Sequence, residues 1–118
     1  MIYIGTDIVS IDRIRNSIDK YNQKFLNKVF TEREIESGRS RSSEYPHLAG
    51  KFAAKEAVKK AFLSSGLVDE ISIKDIEILS LDSGIPVINI NLDIVYEFIN
   101  VSISHSDTDA IASAILKP

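Results

Sequence analysis

The stretch from His47 to about Ser65 limits the fold more than any other part of this chain. Placed at steps of about 100° around a helix axis, Ala49, Ala53, Ala54, Ala57 and Ala61 fall on one broad small-residue face. Leu48, Phe52, Val58 and Phe62 form a bulky face. Little of the circumference is left for water, so the helix belongs inside the domain or at a subunit contact. Pro46 suits its first turn. Yet the helix also carries Lys51, Lys55, Glu56, Lys59 and Lys60. Glu56 and Lys60 are four residues apart and therefore neighbours. They border the alanine stripe, where another backbone can come close.

The remaining residues must wrap this helix. A chain of 118 residues suits one domain spanning 1–118. Residues 2–9 are rich in β-branched and aromatic types and read as a strand buried on both faces, with Asp7 inside it. Ile11, Ile14, Ile18, Tyr21, Phe25 and Val29 recur at helical spacing, with a split expected near Tyr21-Asn22. Thr31 and Glu34 form a capping box for a short helix ending at Gly38, and residues 37–43 read as a polar, basic loop. The second half changes period. Ile71, Ile73, Ile76, Ile78, Val87, Ile88 and Ile90 suggest strands joined by a hairpin at Asp82-Ser83-Gly84, with Pro86 opening the returning strand. One or two helical turns are expected over 92–98. Val101 and Ile103 alternate with serines, and after a turn at 107–109 the segment 110–116 returns as a last strand. Helices cluster early and strands late, which predicts an α+β fold with a mainly antiparallel sheet.

Composition narrows the function. Fourteen basic residues against seventeen acidic give a net charge of −3, which excludes binding of nucleic acid by bulk positive charge. With no cysteine there is no disulfide, zinc-thiolate site or thiol nucleophile, a usage that fits the cytoplasm. No apolar run reaches the roughly 20 residues of a membrane span. Two histidines, His47 and His105, are too few for a histidine metal cage. Ser104 and His105 with Asp107 resemble a hydrolase triad in composition only, because adjacent strand residues point to opposite faces. His47 is read as capping or decorating the long helix, and Ser83-Gly84 as a turn.

Asp7, Glu56 and Lys60 have two readings on spacing alone. Glu56 and Lys60 make a surface ion pair worth about 0.3–0.5 kcal/mol, with Asp7 a cap or turn ligand. Alternatively, a hard cation satisfies both acids. A carboxylate in an apolar strand needs a partner, and Mg²⁺ is often held by one or two carboxylates plus substrate phosphates.

Four segments together carry a resemblance. Ile4-Gly5-Thr6-Asp7, Phe52-Ala53-Ala54-Lys55-Glu56-Ala57 followed by Lys60, Gly84-Ile85-Pro86, and Ser102-Ile103-Ser104-His105 occur in this order. The chain resembles the bacterial holo-acyl-carrier-protein synthases, the small 4′-phosphopantetheinyl transferases, over nearly its whole length. The resemblance implies transfer of the 4′-phosphopantetheine arm of coenzyme A to a serine of apo acyl carrier protein in support of fatty acid biosynthesis, releasing adenosine 3′,5′-bisphosphate. It further implies a homotrimer with active sites between subunits, dependence on Mg²⁺ (with Mn²⁺ as a substitute), and metal ligands at Asp7 and Glu56. Lys60 then faces the pyrophosphate. His105 and Pro86 lie toward the adenosine end, His105 from a neighbouring subunit. Lys51, where many relatives have arginine, contacts phosphate as a point charge.

In-line transfer of this kind depends on positioning and on neutralising developing charge. Glu56 or a metal-bound water are the two candidates for the base that takes the serine proton. Carrier proteins of this kind are acidic, and Arg13, Arg15, Lys20, Lys24 and Lys28 gather on one early helix as the expected docking face, with Ile18 and Phe25 adding apolar contact. Two positions depart from the family pattern. Leu63-Ser64-Ser65-Gly66-Leu67 has a single glycine where relatives have a glycine-rich loop, and Ile85 stands where lysine is frequent. The competing class is a non-catalytic module that binds coenzyme A or a partner helix, which has no need of Asp7, Glu56 and Lys60 together.

Overall fold

The structure, a computed structural model, describes residues 1–39 and 44–118. The elements run β1 (Tyr3–Ser10), α1 (Ile11–Tyr21), α2 (Gln23–Val29), α3 (Glu32–Arg39), α4 (Glu44–Ser65), β2 (Ile76–Ser80), β3 (Pro86–Ile90), β4 (Phe98–His105) and β5 (Asp109–Lys117). The fold is α+β. One antiparallel sheet has the order β1-β5-β4, and β2 and β3 form a separate hairpin.

The long helix is the hub, and its small residues explain how. Ala49, Ala53, Ala54, Ala57 and Ala61 are fully buried, as are Ala110 and Ala114 of β5. Alanine faces alanine, so helix and sheet approach closely. The tightest point is Gly5 on β1, where an added Cβ would lie 1.9 Å from the Ala57 carbonyl oxygen. On the bulky side of α4, Leu48, Val58 and Phe62 are buried together with Ile14, Phe30, Ile76 and Ile78. Phe62 meets Tyr96 edge to face at 5.5 Å.

Local chemistry ends the elements where the sequence suggests. Ser10 caps α1, its hydroxyl accepting from the Arg13 amide at 3.3 Å. The split after Tyr21 is real. Asn22 adopts a positive φ of 49°, a conformation Asn tolerates better than most residues, and this lets α2 set off in a new direction. The capping box also holds: the Glu34 carboxylate accepts from the Thr31 amide at 2.9 Å, and the Thr31 hydroxyl accepts from the Glu34 amide at 3.3 Å. Gly66 (φ 76°) closes α4 and Gly84 (φ 89°) turns the β2–β3 hairpin.

Four expectations are corrected. β1 is buried on one face only, since Ile4 and Ile8 are 64% and 66% exposed. Helix α3 continues through Arg39, so residues 37–39 of the expected loop are helical, and 40–43 lie outside the described residues. Helix α4 begins at Glu44, three residues early. Residues 92–97 are irregular rather than helical. There the half-buried Ile94 and Tyr96 alternate with exposed Val95 and Glu97, a period of two that leads straight into β4.

Candidate active site

The site is built at the seam between β1 and α4. Side chains alternate along a strand, so Gly5, Asp7 and Val9 share the face turned toward α4. Because Gly5 has no side chain, β1 lies against the helix backbone, and Asp7, two residues on, is carried to the helix edge. There Lys60 reaches across. Its ammonium donates to the Thr6 carbonyl at 2.9 Å and to Asp7 Oδ1 at 3.1 Å. The Lys60 side chain is 51% exposed and that of Asp7 16%. Glu56, one helical turn before Lys60, borders the same seam. It is half-buried, and among the described residues its carboxylate has no hydrogen-bond or ion-pair partner.

Two half-buried carboxylates, one paired with a half-exposed ammonium and one without a partner among the described residues, suit a hard cation that takes oxygen ligands and completes its shell with water or phosphate. Among the described residues no group of three or more His, Cys, Asp and Glu side chains is placed to hold a metal. A soft or fully protein-ligated ion therefore does not fit, whereas Mg²⁺ or Mn²⁺ does.

The other expected residues are scattered. His105 shares a cross-strand row with Ala110 and Val9, and Asp7 one with Ala112 and Ile103. Asp7 and His105 thus occupy opposite edges of the sheet, separated by two strand spacings, about 10 Å. Among the described residues, the exposed His105 ring has the adjacent Ser106 carbonyl as its hydrogen-bond partner, at 3.1 Å. Pro86 is half-buried at the start of β3, paired with Ser80 on the other sheet. Lys51 is 3% exposed, and its ammonium donates to the carbonyl of Ile78, which ties α4 to β2. His47 sits in the first turn of α4 with Nε2 3.5 Å from the Ser37 hydroxyl.

On the early basic segment, Arg15 pairs with Asp12 at 2.9 Å and stacks over Tyr45 at 5.2 Å. Lys20 lies over the Tyr21 ring at 5.3 Å. Arg13 is exposed, while Lys24 and Lys28 flank an open cleft formed with Tyr21 and Phe25.

Sequence reasoning missed a polar centre on the far side of α4. Lys55 and Glu34 are both fully buried and meet at 2.6 Å. The signal was present: the helical wheel places Lys55 between Phe62 and Leu48, and a lysine there must find a buried acid. Burial pushes the Lys55 ammonium below the usual lysine range, opposed by the charge of Glu34 and its hydrogen bond. Nearby, burial works to raise the Glu77 carboxyl. Hydrogen bonds from Thr31 and Asn89 and the charges of Arg33 and Lys55 outweigh it and hold Glu77 below its usual value.

Comparison with known proteins identifies the family. The chain is 46% identical to a holo-[acyl-carrier-protein] synthase of Clostridium botulinum (strain Eklund 17B / Type B), covering 97% of this chain and 95% of the relative. The ACPS–coenzyme A complex of Chronobacterium ammoniagenes superposes with a TM-score of 0.85 at 26% identity, covering 99% and 97% of the two chains. The Helicobacter pylori holo-[acyl-carrier-protein] synthase solved with coenzyme A gives 0.84 at 33% identity, covering 97% and 99%. The family model described as the 4′-phosphopantetheinyl transferase superfamily matches residues 3–115, and the chain belongs to that superfamily.

Proposed function

We propose that this chain transfers the 4′-phosphopantetheine arm of coenzyme A to a serine of apo acyl carrier protein, releasing adenosine 3′,5′-bisphosphate, and that Asp7, Glu56 and Lys60 form the transfer centre. The observation that carries this is the meeting of Lys60 with Asp7 at 3.1 Å on the helix edge that also presents Glu56. Asp7 and Glu56 would hold Mg²⁺ or Mn²⁺, which would supply charge neutralisation at the diphosphate. Lys60 is exposed enough to leave Asp7 and donate to the departing phosphate. Glu56 or a water on the bound ion would take up the serine proton.

The site is incomplete in one chain, because His105 stands across the sheet from Asp7. The outer face of β1 and β5 suggests how it is completed. Ile4 pairs with Ile115 and Ile8 with Ile111, and all four are 43–66% exposed. Such an apolar patch marks an interface. We assign it to a homotrimer in which a neighbouring subunit brings His105, and the hairpin with Pro86, to the coenzyme. Arg13, Arg15, Lys20, Lys24 and Lys28 with the cleft beside Phe25 form the docking face for the acidic carrier protein. No helix among the described residues is long and apolar enough to cross a membrane. We place the reaction in the cytoplasm, with coenzyme A and carrier protein as its substrates.

The test is direct. The protein, coenzyme A, Mg²⁺ and apo carrier protein are mixed, and the carrier is weighed by mass spectrometry. Gain of the pantetheine arm, lost in excess chelator and in Glu56→Gln, is the expected result. Full transfer in chelator or by Glu56→Gln overturns the metal centre. Coenzyme A binding with no gain in mass leaves a non-catalytic module.

A further inference from the structure

The residue just before Glu56 is as constrained as any in the molecule. Lys55 is wholly buried. Its ammonium donates to Glu34 Oε1 at 2.6 Å and to the Val29 carbonyl at 2.6 Å, and it lies 5.4 Å from the Phe30 ring centre. Glu34 is equally buried and also accepts from the amides of Thr31 at 2.9 Å and Ile78 at 2.8 Å. One contact thus gathers the end of α2, the start of α3, the middle of α4 and the edge of β2. A buried ion pair is weak as a source of stability, since apolar residues of like volume often serve as well. Its distinctive property is direction: it is satisfied in one geometry only.

That direction bears on the transfer centre. Successive residues of a helix are turned by about 100°, so fixing Lys55 fixes the bearing of Glu56 and, one turn on, of Lys60. The opposite side of α4 is held by the contact of Gly5 with the backbone at Ala57. That contact, with the backbone at Ala57 and Ala61, sets the distance between β1 and the helix but carries no directed hydrogen bond from a side chain. We infer that Lys55 is a positioning residue, whose ammonium, anchored by Glu34, sets the roll of α4 that presents Glu56 and Lys60 to Asp7. The inference rests on the metal role proposed for Asp7 and Glu56.

The experiment separates positioning from folding. Wild type, Glu56→Gln and the neutral pair Glu34→Gln/Lys55→Met are compared as full-length proteins by thermal melting and by Mn²⁺ titration followed by electron paramagnetic resonance. Glu34→Asp, which keeps both charges and shortens the anchor by one methylene, is the second variant should the neutral pair fail to fold. The expected result is a cooperative melt with Mn²⁺ affinity reduced at least tenfold in the neutral pair and about threefold in Glu34→Asp. A folded neutral pair, or a folded Glu34→Asp in its place, that binds Mn²⁺ as wild type does overturns the positioning role and leaves the metal site standing. Wild type and Glu56→Gln binding Mn²⁺ equally overturns the metal reading itself, and this inference with it.

Discussion

Two lysine–carboxylate pairs of helix α4, five residues apart, are opposites. Lys55 and Glu34 are both 0% exposed and 2.6 Å apart, whereas Lys60 and Asp7 are 51% and 16% exposed and 3.1 Å apart. The first is enclosed by Val29, Phe30 and Ile78 and has no room for another ligand. The second opens to water on the lysine side, so Lys60 can leave Asp7 without stranding a buried ammonium, as the proposed metal site requires. Neighbouring turns of one helix thus supply an enclosed pair and an open one. What separates them is the sector of the helix on which each lysine falls.

Removing one partner from each pair tests that contrast most severely. Glu34→Ala strands the Lys55 ammonium in the core and is expected to cost about 3–5 kcal/mol. Asp7→Ala leaves Lys60 in water and should cost under about 1 kcal/mol. Urea unfolding at neutral pH measures both, and equal losses would break the comparison. Next in size is Gly5→Ala. The new methyl would meet the Ala57 carbonyl at 1.9 Å, backbone against backbone, so β1 must separate from α4 at a cost of about 3 kcal/mol. Transfer should fall as well, because Asp7 moves with the strand. Stability lost with transfer intact would show that Asp7 does not depend on this seam.

Much of this frame was legible before any coordinates. The alanine stripe, the capping box at Thr31, the break at Asn22 and the hairpin at Gly84 are local patterns, and local patterns survive into the fold. Failures came where the answer lies elsewhere in the chain or outside it. Ile4 and Ile8 look like core residues because they are apolar, yet they are exposed here; a sequence does not say whether a strand is covered by its own chain or by another copy. The helical wheel puts Lys55 among apolar residues, but nothing nearby in the sequence identifies its acid as Glu34, twenty-one residues away. Segment 92–98 has apolar residues compatible with either period, and the contact of Tyr96 with Phe62 decided for the extended one. Of the site itself, the pairing of Asp7 with Lys60 spans fifty-three residues and has no periodicity to reveal it. Spacing left the grouping of Asp7 with Glu56 and Lys60 as one of two readings, and the resemblance to a family favoured it.

Glu77 offers an intermediate case that sharpens the role of burial. Its side chain is 15% exposed and accepts from the Thr31 hydroxyl at 2.6 Å and from the Asn89 amide at 3.1 Å. Because its folded pKa is lowered, the unfolded chain binds its proton more readily. The stabilisation is therefore present above the ordinary Glu value of about 4.3 and is lost as pH falls through the lower folded value. Wild type should exceed Glu77→Gln by about 1 kcal/mol at pH 7, with the gap closing as pH is lowered below about 4. A gap independent of pH would mean that packing, not charge, holds this residue.

The smallest effect is also the most discriminating. A double-mutant cycle of Asp7→Asn with Lys60→Met should give a coupling of about 0.2–1 kcal/mol. Salt should shrink it, since the Debye length falls from about 10 Å at 0.1 M to about 3 Å at 1 M. Added Mn²⁺ should take it to zero or reverse it, because a divalent ion on Asp7 turns Lys60 from a partner into a like-charged neighbour. The corresponding cycle at Glu34 and Lys55 should ignore both additions, there being no solvent path to that pair. If the Asp7–Lys60 coupling also stays constant in salt and metal, Asp7 is a structural acid, and the difference between the two lysines is one of exposure without chemical consequence.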